Sequence, residues 1–418
     1  MPINVSQYVD RLAGLCAALL LPLFLTACVA TAPPQIERPA ELADDALLEQ
    51  GIQFAVDDLL AQASKTPGFQ PPAKSALEQL IKSEPPKRAL LVLDSSIDGA
   101  TGQQTAATRL VDAGLVQVLR QKLATHDVAA ITEDNVKRAN YLVTATLAQA
   151  QGRGGRGAFK LDASLTDMRS GFVIAQAVAR VRPVGIDETP TQFFRESPAV
   201  SKDRGVDGQI KTAQMRAGGE ADGLYLSRLP VNALFAEGDK YFEQGRCEDA
   251  LKYFDAAAAR RDGQQLRILN GIYLCQSQLN RIDAAEVAFG RIVALGLATN
   301  NLSVRFYFRP GTTEFIADAK FNQPYPMWLR QISKESAAAK VCLLIVGHTS
   351  KTGAEQVNDR LSLQRATTMQ RRLEAGSADL MGRIQALGMG YRENIVGTGT
   401  DDLRDALDRR VEFKVRPC

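Results

Sequence analysis

The stretch that decides the fold of the C-terminal third of the chain is VCLLIVGHTSKTGAEQVNDRLSLQRA, residues 341–366. Its first six residues are apolar without a break, which is typical of a central strand that is buried on both faces. The loop Gly347–Gly353 follows (the GHT loop, sequence GHTSKTG), and after it apolar residues recur at helical spacing. This order places the GHT loop at the end of a strand, where open α/β sheets hold their ligand sites.

Strands and helices are expected on both sides of this stretch. Upstream, residues 304–308 (VRFYF) predict a strand, and residues 318–334 predict a helix. Downstream, residues 394–398 (NIVGT) predict a strand. The alternation in 409–415 (RRVEFKV) predicts a last strand with its apolar residues on one face. The expected order is therefore strand, helix, strand, helix and two further strands.

The helix after the GHT loop contains a conflict that points to function. At about 100° per residue, Leu361, Met369 and Leu373 form an apolar stripe, and Arg365 lies inside that stripe. Asn358 comes seven residues earlier, so it lies at nearly the same azimuth, ~10 Å away along the axis. A cation that faces the protein body is costly unless an anion meets it. That anion is either an internal carboxylate or a ligand.

Three ordered motifs, GHTxxxG, NxxLSxxRA and RRVEF, resemble the OmpA C-terminal domain that is shared with Pal and MotB. The resemblance covers about 304–416, within an expected domain at 302–418. It implies a βαβαββ fold and binding of the diaminopimelate-bearing stem peptide of peptidoglycan. In this chain it implies that Arg365 holds a ligand carboxylate, that Asn358 hydrogen-bonds the ligand and that Arg410 lines the pocket. Thr349 and Ser350 of the GHT loop complete the implied binding site.

Ser350 departs from the family, which usually has an aspartate after GHT. A serine forms a hydrogen bond but brings no charge to a ligand ammonium. Losing a charge-assisted bond removes about 1–3 kcal/mol, roughly ten- to a hundredfold in affinity. Peptidoglycan binding is then weak, or uses another acid such as Asp359 or Glu355, or has been lost.

Residues 1–27 have the composition of an export signal. The apolar run LCAALLLPLFL after Arg11 is shorter than the ~20 residues that span a bilayer. It ends in LTAC, which resembles a bacterial lipobox and implies acylation of Cys28 before a tether at 28–40; the alternative is an ordinary secretory signal. Acyl chains contribute roughly 0.8 kcal/mol per buried CH₂, so two or more anchor firmly. By the same resemblance, Val29 implies the outer membrane, with the protein facing the periplasm.

Four of the six cysteines are outside the signal and the lipobox. They are Cys247, Cys275, Cys342 and Cys418. An even number in an oxidising compartment favours disulfides. Their division between two domains favours the pairs 247–275 and 342–418, and the alternative is four buried thiols.

Residues 41–183 are expected to form an α/β periplasmic domain. The amphipathic helix that starts it ends near Ala63, and a strand at 89–93 then leads through a polar loop into a second helix. The order strand, DxxxDxxTGxQT, helix weakly resembles periplasmic lipoprotein domains of the CsgG and penicillin-binding-protein-activator kind. Asp94 and Asp98 in that loop are either paired catalytic carboxylates or helix-capping residues of a solvated loop, and the second interpretation is favoured.

Residues 184–229 are polar and interrupted, so an extended linker with a partial helix is expected. In residues 230–298 a period of 35 relates GRCEDALKYFDAA to NRIDAAEVAFGRI, and this pattern resembles tetratricopeptide repeats. Such repeats normally need at least three copies to stand alone. The pair is therefore expected to pack on a neighbour or to bind an envelope protein, and a plain helical spacer is the alternative.

Taken together, these features predict a multidomain α+β protein without an enzymatic role. It is expected to be an outer-membrane lipoprotein that binds peptidoglycan and tethers or scaffolds the envelope, with no cofactor or metal. A formal charge of +3 argues against a nucleic-acid partner. One alternative is an accessory factor of an envelope machine, and a weaker one is a peptidoglycan hydrolase. His126 and His348 are the only histidines, and neither belongs to a recognisable catalytic or metal motif.

Overall fold

The computed structural model describes residues 46–70, 88–151, 157–199, 202–309, 311–317, 322–394, 397, 399, 405 and 408–418. The expected signal segment, Cys28 and the tether lie outside these residues. Among the helices within the described ranges, none combines the length and the apolar character needed to cross a membrane.

A mixed sheet organises the first part of the described chain. Its strands are β1 (Ala89–Leu93), β2 (Ile97–Asp98), β3 (His126–Ala130), β4 (Tyr141–Gln151), β5 (Gly157–Asp167) and β6 (Val173–Val181). Their order is β3-β1-β4-β5-β6, and β2 continues beside β4. β1 runs parallel to β3 and β4, whereas β4, β5 and β6 are antiparallel. The apolar sequence ALLVL suits β1 to this central position.

Helices cover one face of this sheet. α1 (Leu48–Ala63) and α2 (Ala106–Lys122) share an apolar core with the strands. The N-cap of α2 is Thr105, whose side chain accepts a hydrogen bond from the Thr108 amide, and not one of the aspartates of the preceding loop. The short α3 (Glu133–Val136) precedes β4.

Residues 184–229 are not the extended linker that the sequence predicts. They contain α4 (Gln192–Glu196), α5 (Arg204–Ala213) and the first turns of α6 (Gly223–Glu243). Tyr225 and Leu229 of α6 are buried against apolar residues of β1 and β4. Burial of this second sheet face outweighs the polar composition of the segment, so the expected linker is part of the fold.

Two helical hairpins account for the 35-residue period. They consist of α6 with α7 (Cys247–Ala259), and α8 (Leu266–Gln278) with α9 (Ile282–Ala298). Close approach depends on small residues: a Cβ on Gly238 would lie 2.6 Å from the Phe254 ring. The hairpins pack on neighbours on both sides, which is one of the two outcomes that their low copy number predicts.

The C-terminal domain has the expected βαβαββ order. Its elements are β7 (Leu302–Val304), α10 (Tyr325–Ala338), β8 (Cys342–Gly347), α11 (Glu355–Gly376), β9 (Ile384–Gly388) and β10 (Val411–Arg416). The strand order is β7-β10-β8-β9, and only β8 and β9 are parallel. The expected strand at 394–398 is wrong at its described positions, since 394 and 397 are coil and β9 lies earlier in the chain. The α+β multidomain class is confirmed.

The hairpins and the C-terminal domain share one apolar core. Trp328 of α10 stacks on Phe289 of α9, with ring centroids 5.3 Å apart and planes at 10°. Its Nε1–H donates a hydrogen bond to the Tyr273 hydroxyl at 2.9 Å. This junction is therefore packed as a domain interior.

Candidate functional site

The GHT loop is held between the two strands that flank β8. The His348 amide donates to the Arg410 carbonyl at 3.0 Å, and the Thr349 amide donates to the Gly390 carbonyl at 2.9 Å. Gly347 lies against α11 so closely that a Cβ would be 2.2 Å from the Ser362 carbonyl oxygen. The glycine at the end of β8 thus allows the loop and α11 to meet.

The hydroxyl groups of the GHT loop differ in their surroundings. The Thr349 Oγ1 is buried and has no hydrogen-bond partner among the residues that the structure describes. The Ser350 Oγ lies 3.1 Å from Thr352 Oγ1, and Ser350 is 5% exposed. Ser350, the departure from the family pattern, is therefore part of the packed loop.

Asn358 joins the GHT loop to α11. Its amide nitrogen donates to the Thr352 carbonyl at 2.8 Å and to the Ala354 carbonyl at 3.2 Å. With Arg365, Met369 and Leu373 it lies on the buried face of α11, as the helical spacing predicts. Asn358 thus fixes the shape of the loop, whatever its role towards a ligand.

Arg365 is 4% exposed and contacts the turn after β7. Its Nε donates to the Thr312 carbonyl at 3.1 Å, and one Nη lies 3.4 Å from the Arg309 carbonyl. The guanidinium carbon is 4.9 Å from the centroid of the Phe308 ring. Two backbone carbonyls and an aromatic ring therefore contact this cation within the protein.

Arg410, the residue just before β10, pairs with Glu412 of that strand. Its Nε donates to a Glu412 carboxylate oxygen at 2.7 Å, and one Nη donates to the Glu393 carbonyl at 3.1 Å. The other, Nη1, has no partner within the described part of the chain. Residues two apart in extended backbone share a face, so the spacing of Arg410 and Glu412 in RRVEF is consistent with this pairing.

Glu412 carries a firm negative charge beside Arg410. Burial raises the pKa of Glu412, but His348, 3.7 Å away, and the Arg410 guanidinium outweigh burial and hold that pKa well below its usual range. Possible ligand atoms of His348, Glu393 and Glu412 lie within 4.8 Å of one another, so this group has the spacing of a cation site. Arg410 and Lys414 already balance both carboxylates, which disfavours a divalent ion there.

Glu355 and Asp359, the acids named in one of the three alternatives for the missing aspartate, form ion pairs with Arg392. Arg392 forms ion pairs with Glu355 at 3.2 Å and with Asp359 at 2.7 Å. All three side chains are at least one-third exposed, so the pairs are screened by solvent. These ion pairs give no indication that either acid supplies the negative charge that Ser350 lacks.

The cysteines follow the sequence prediction in one pair and depart from it in the other. Cys342 and Cys418 form a disulfide. The predicted 247–275 disulfide is wrong, because Cys247 and Cys275 are free buried thiols. The Cys247 thiol instead donates to the Gln278 side-chain oxygen at 3.1 Å, and Cys275 hydrogen-bonds Cys247, which lowers the pKa of Cys247.

The aspartates Asp94 and Asp98 of the N-terminal domain do not cap the helix that follows their loop, because the N-cap of α2 is Thr105. Asp98 accepts hydrogen bonds from the Ala100 and Thr101 amides and from the Thr101 hydroxyl, which closes a turn. Asp94 accepts from the Tyr225 hydroxyl at 2.8 Å and from the Asn232 amide at 3.0 Å. Both carboxylates therefore serve the local structure.

Residues 307–406 match the model of the OmpA family. This part of the chain is an OmpA-like domain. Among curated proteins no match was found for the chain. Among solved structures, the peptidoglycan-associated lipoprotein from Burkholderia pseudomallei is 21% identical, over 27% of this chain and 90% of that chain, with a TM-score of 0.23.

Two further solved structures are similar to the OmpA-like domain. The cell wall anchor of the T6SS from Pseudomonas aeruginosa is 26% identical, over 27% of this chain and 78% of that chain, with a TM-score of 0.23. A putative MotB-like protein from Desulfovibrio vulgaris is 17% identical, over 36% of this chain and 99% of that chain, with a TM-score of 0.25.

Proposed function

We propose that this protein is an outer-membrane lipoprotein that binds peptidoglycan non-covalently through its OmpA-like domain and so tethers or scaffolds the envelope. The observation that carries the proposal is the buried Arg365 at the motif position of an OmpA-like domain. A guanidinium matches a carboxylate in shape and charge, and the stem peptide of peptidoglycan is rich in carboxylates.

Three groups at the end of β8 supply the proposed ligand contacts. Arg365 holds a carboxylate of the diaminopimelate-bearing stem peptide. The Thr349 hydroxyl and Arg410 Nη1 add hydrogen bonds, and no described residue uses these two groups. Leaving such groups buried and unpaired is costly, so a ligand that pairs them gains affinity. Asn358 supports this arrangement by fixing the loop.

Ser350 lowers the affinity of this site. Introducing the carboxylate by Ser350→Asp should tighten binding by roughly tenfold, because it adds a charge-assisted bond to the ligand ammonium. The variant Ser350→Asn is the matched control, since it has the same size without the charge.

Acylation of Cys28 is the proposed link to the outer membrane. The wild-type protein should incorporate a labelled fatty acid and fractionate with membranes, whereas Cys28→Ser should accumulate as an unacylated precursor. A wild-type protein that takes up no label would refute the anchor without bearing on the peptidoglycan site.

Cosedimentation with purified sacculi tests the binding proposal. Arg365→Lys keeps the positive charge but lacks the planar pair of donors, and it should bind at least about tenfold more weakly. Arg372→Ala is the control on the same helix, because Arg372 is exposed and lies over the Phe315 ring at 4.5 Å. Equal binding by wild type and Arg365→Lys would contradict the proposed clamp.

The hairpins support a scaffold that acts as one body. They share a core with the OmpA-like domain, and α6 is also buried against the first sheet. A force that acts on the peptidoglycan site is therefore transmitted to the N-terminal domain through packed side chains. We propose no catalytic role for the chain.

A further inference from the structure

A cavity lies at the carboxyl end of β1, far along the chain from the OmpA-like domain. The chain leaves β1 for β3 on one side and then returns to β4 on the other, so this end of β1 is a topological switch point. The cavity is bounded by the loop 94–104, by α4 and α5, and by the hairpin helices α6 and α8. Its volume is about 50 Å³, and it opens to solvent at its mouth.

Much of the cavity wall is apolar. Ile97 lies on β2, and Val206 lies on α5. Phe194, Phe235 and Leu266 lie on α4, α6 and α8. A space of this volume holds a few water molecules or one small chemical group. The wall therefore suits a ligand that combines a small apolar part with a few hydrogen-bonding atoms.

Two amide side chains in the wall have unused hydrogen-bonding atoms. Gln103 is 2% exposed, and neither its Nε2 nor its Oε1 has a partner among the described residues. Asn270 is 4% exposed; its Nδ2 donates to the Ala199 carbonyl at 2.8 Å, and its Oδ1 is unpartnered within the same described ranges. Together they offer one donor group and two acceptors to an occupant of the cavity.

The charged groups of the cavity are already matched within the protein. Asp94 accepts from Tyr225 and Asn232, and Arg267 donates to Asn232. Asp203 forms an ion pair with Arg228 at 3.2 Å. A charged ligand would gain little in this balanced set and would lose its hydration. The unused atoms are therefore those that a neutral ligand needs.

We propose that this cavity binds an uncharged peptide segment of a partner protein through one peptide group and a small apolar side chain. The peptide C=O accepts from Gln103 Nε2, and the peptide N–H donates to Gln103 Oε1 or Asn270 Oδ1. A sugar with an acetamido group offers the same amide, but its hydroxyl groups would face the apolar wall unpaired. The inference goes beyond peptidoglycan binding and does not depend on it.

Methyl NMR of the purified protein, observed at Ile97, Val206 and Leu266, tests the proposal with N-acetylalanine N-methylamide as the probe. The probe should cause saturable shifts of these methyl signals. Gln103→Met removes the amide at nearly constant volume and should weaken binding by roughly tenfold, while the melting temperature stays equal or rises because no partner is lost. Arg365→Lys should leave the shifts unchanged.

Gln209→Met is the matched control in the same wall. The Gln209 Nε2 donates to the Ser95 carbonyl at 2.8 Å, so this change should lower the melting temperature. Absence of saturable shifts, or equal shifts in wild type and Gln103→Met, would overturn the proposal. Stronger binding of N-acetylglucosamine than of the blocked alanine would overturn the assignment to a peptide.

Discussion

Replacement of Trp328 by alanine should uncouple the OmpA-like domain from the helical hairpins. The Trp328 side chain is 6% exposed and stacks on Phe289. Truncation of a buried tryptophan costs about 3–5 kcal/mol, and loss of the Nε1–H bond to Tyr273 adds about 1 kcal/mol. The expected loss in the free energy of unfolding is thus about 4–6 kcal/mol. Trp328→Phe, which keeps the stack and loses the hydrogen bond, should cost about half as much or less.

Urea unfolding measures both variants by far-UV circular dichroism. Trp328 is the only tryptophan, so wild-type fluorescence reports on this junction alone. Because the hairpins and the OmpA-like domain share a core, the fluorescence transition should coincide with the loss of helical signal. A fluorescence transition at clearly lower urea, or a Trp328→Ala variant within about 1 kcal/mol of wild type, would refute the shared core.

Two further predictions concern single groups. The Cys342–Cys418 disulfide closes a loop with a sequence separation of 76, so Cys418→Ser should lower the free energy of unfolding by about 4 kcal/mol. Non-reducing peptide mapping should find this bridge with Cys247 and Cys275 alkylated, and a 247–275 bridge would contradict the structure. Burial raises the pKa of Asp112 to about 7 against hydrogen bonds from Ser96. The folded-state pKa of Asp112 lies above its unfolded-state pKa, so the Asp112 carboxyl stabilises the fold fully below the unfolded-state pKa. This contribution to the free energy of unfolding is lost as the pH rises through about 7. Between pH 5 and pH 8, Asp112→Asn should therefore gain stability relative to wild type by at most ~3 kcal/mol, because about two of the three units of pKa displacement fall in that window. An equal stability difference at both pH values would count against the buried carboxylate.

The C-terminal fold could be predicted from sequence because local patterns and family motifs agree. The unbroken apolar run of β8 and the buried face of α11 are visible in residues 341–373. β9 was misplaced because Ile395 and Val396 look more strand-like than the sequence IQALG. What selects IQALG is a tertiary contact: a Cβ on Gly388 would lie 2.5 Å from the Leu363 amide nitrogen, so only glycine fits beside α11.

The partners of individual side chains were harder to predict than the elements. The apolar stripe placed Arg365 in the interior correctly, but sequence spacing could not show that carbonyls from residues 309 and 312 reach it. The pairing of Cys247 with Cys275 failed because an even count states nothing about side-chain direction. The helices of segment 184–229 could not be predicted from its polar composition, because composition does not show that these residues bury an apolar face of the first sheet.

Direct titration of a soluble diaminopimelate-bearing stem peptide into the purified protein, followed by calorimetry, tests whether the OmpA-like domain binds peptidoglycan. We expect saturable binding to wild type that weakens at least about tenfold in Arg365→Lys, with both proteins folded by near-UV circular dichroism. A stem peptide with lysine in place of diaminopimelate should bind more weakly, since it lacks a carboxylate at that residue. Folded wild-type protein that binds neither peptide would contradict the claim that the OmpA-like domain holds peptidoglycan.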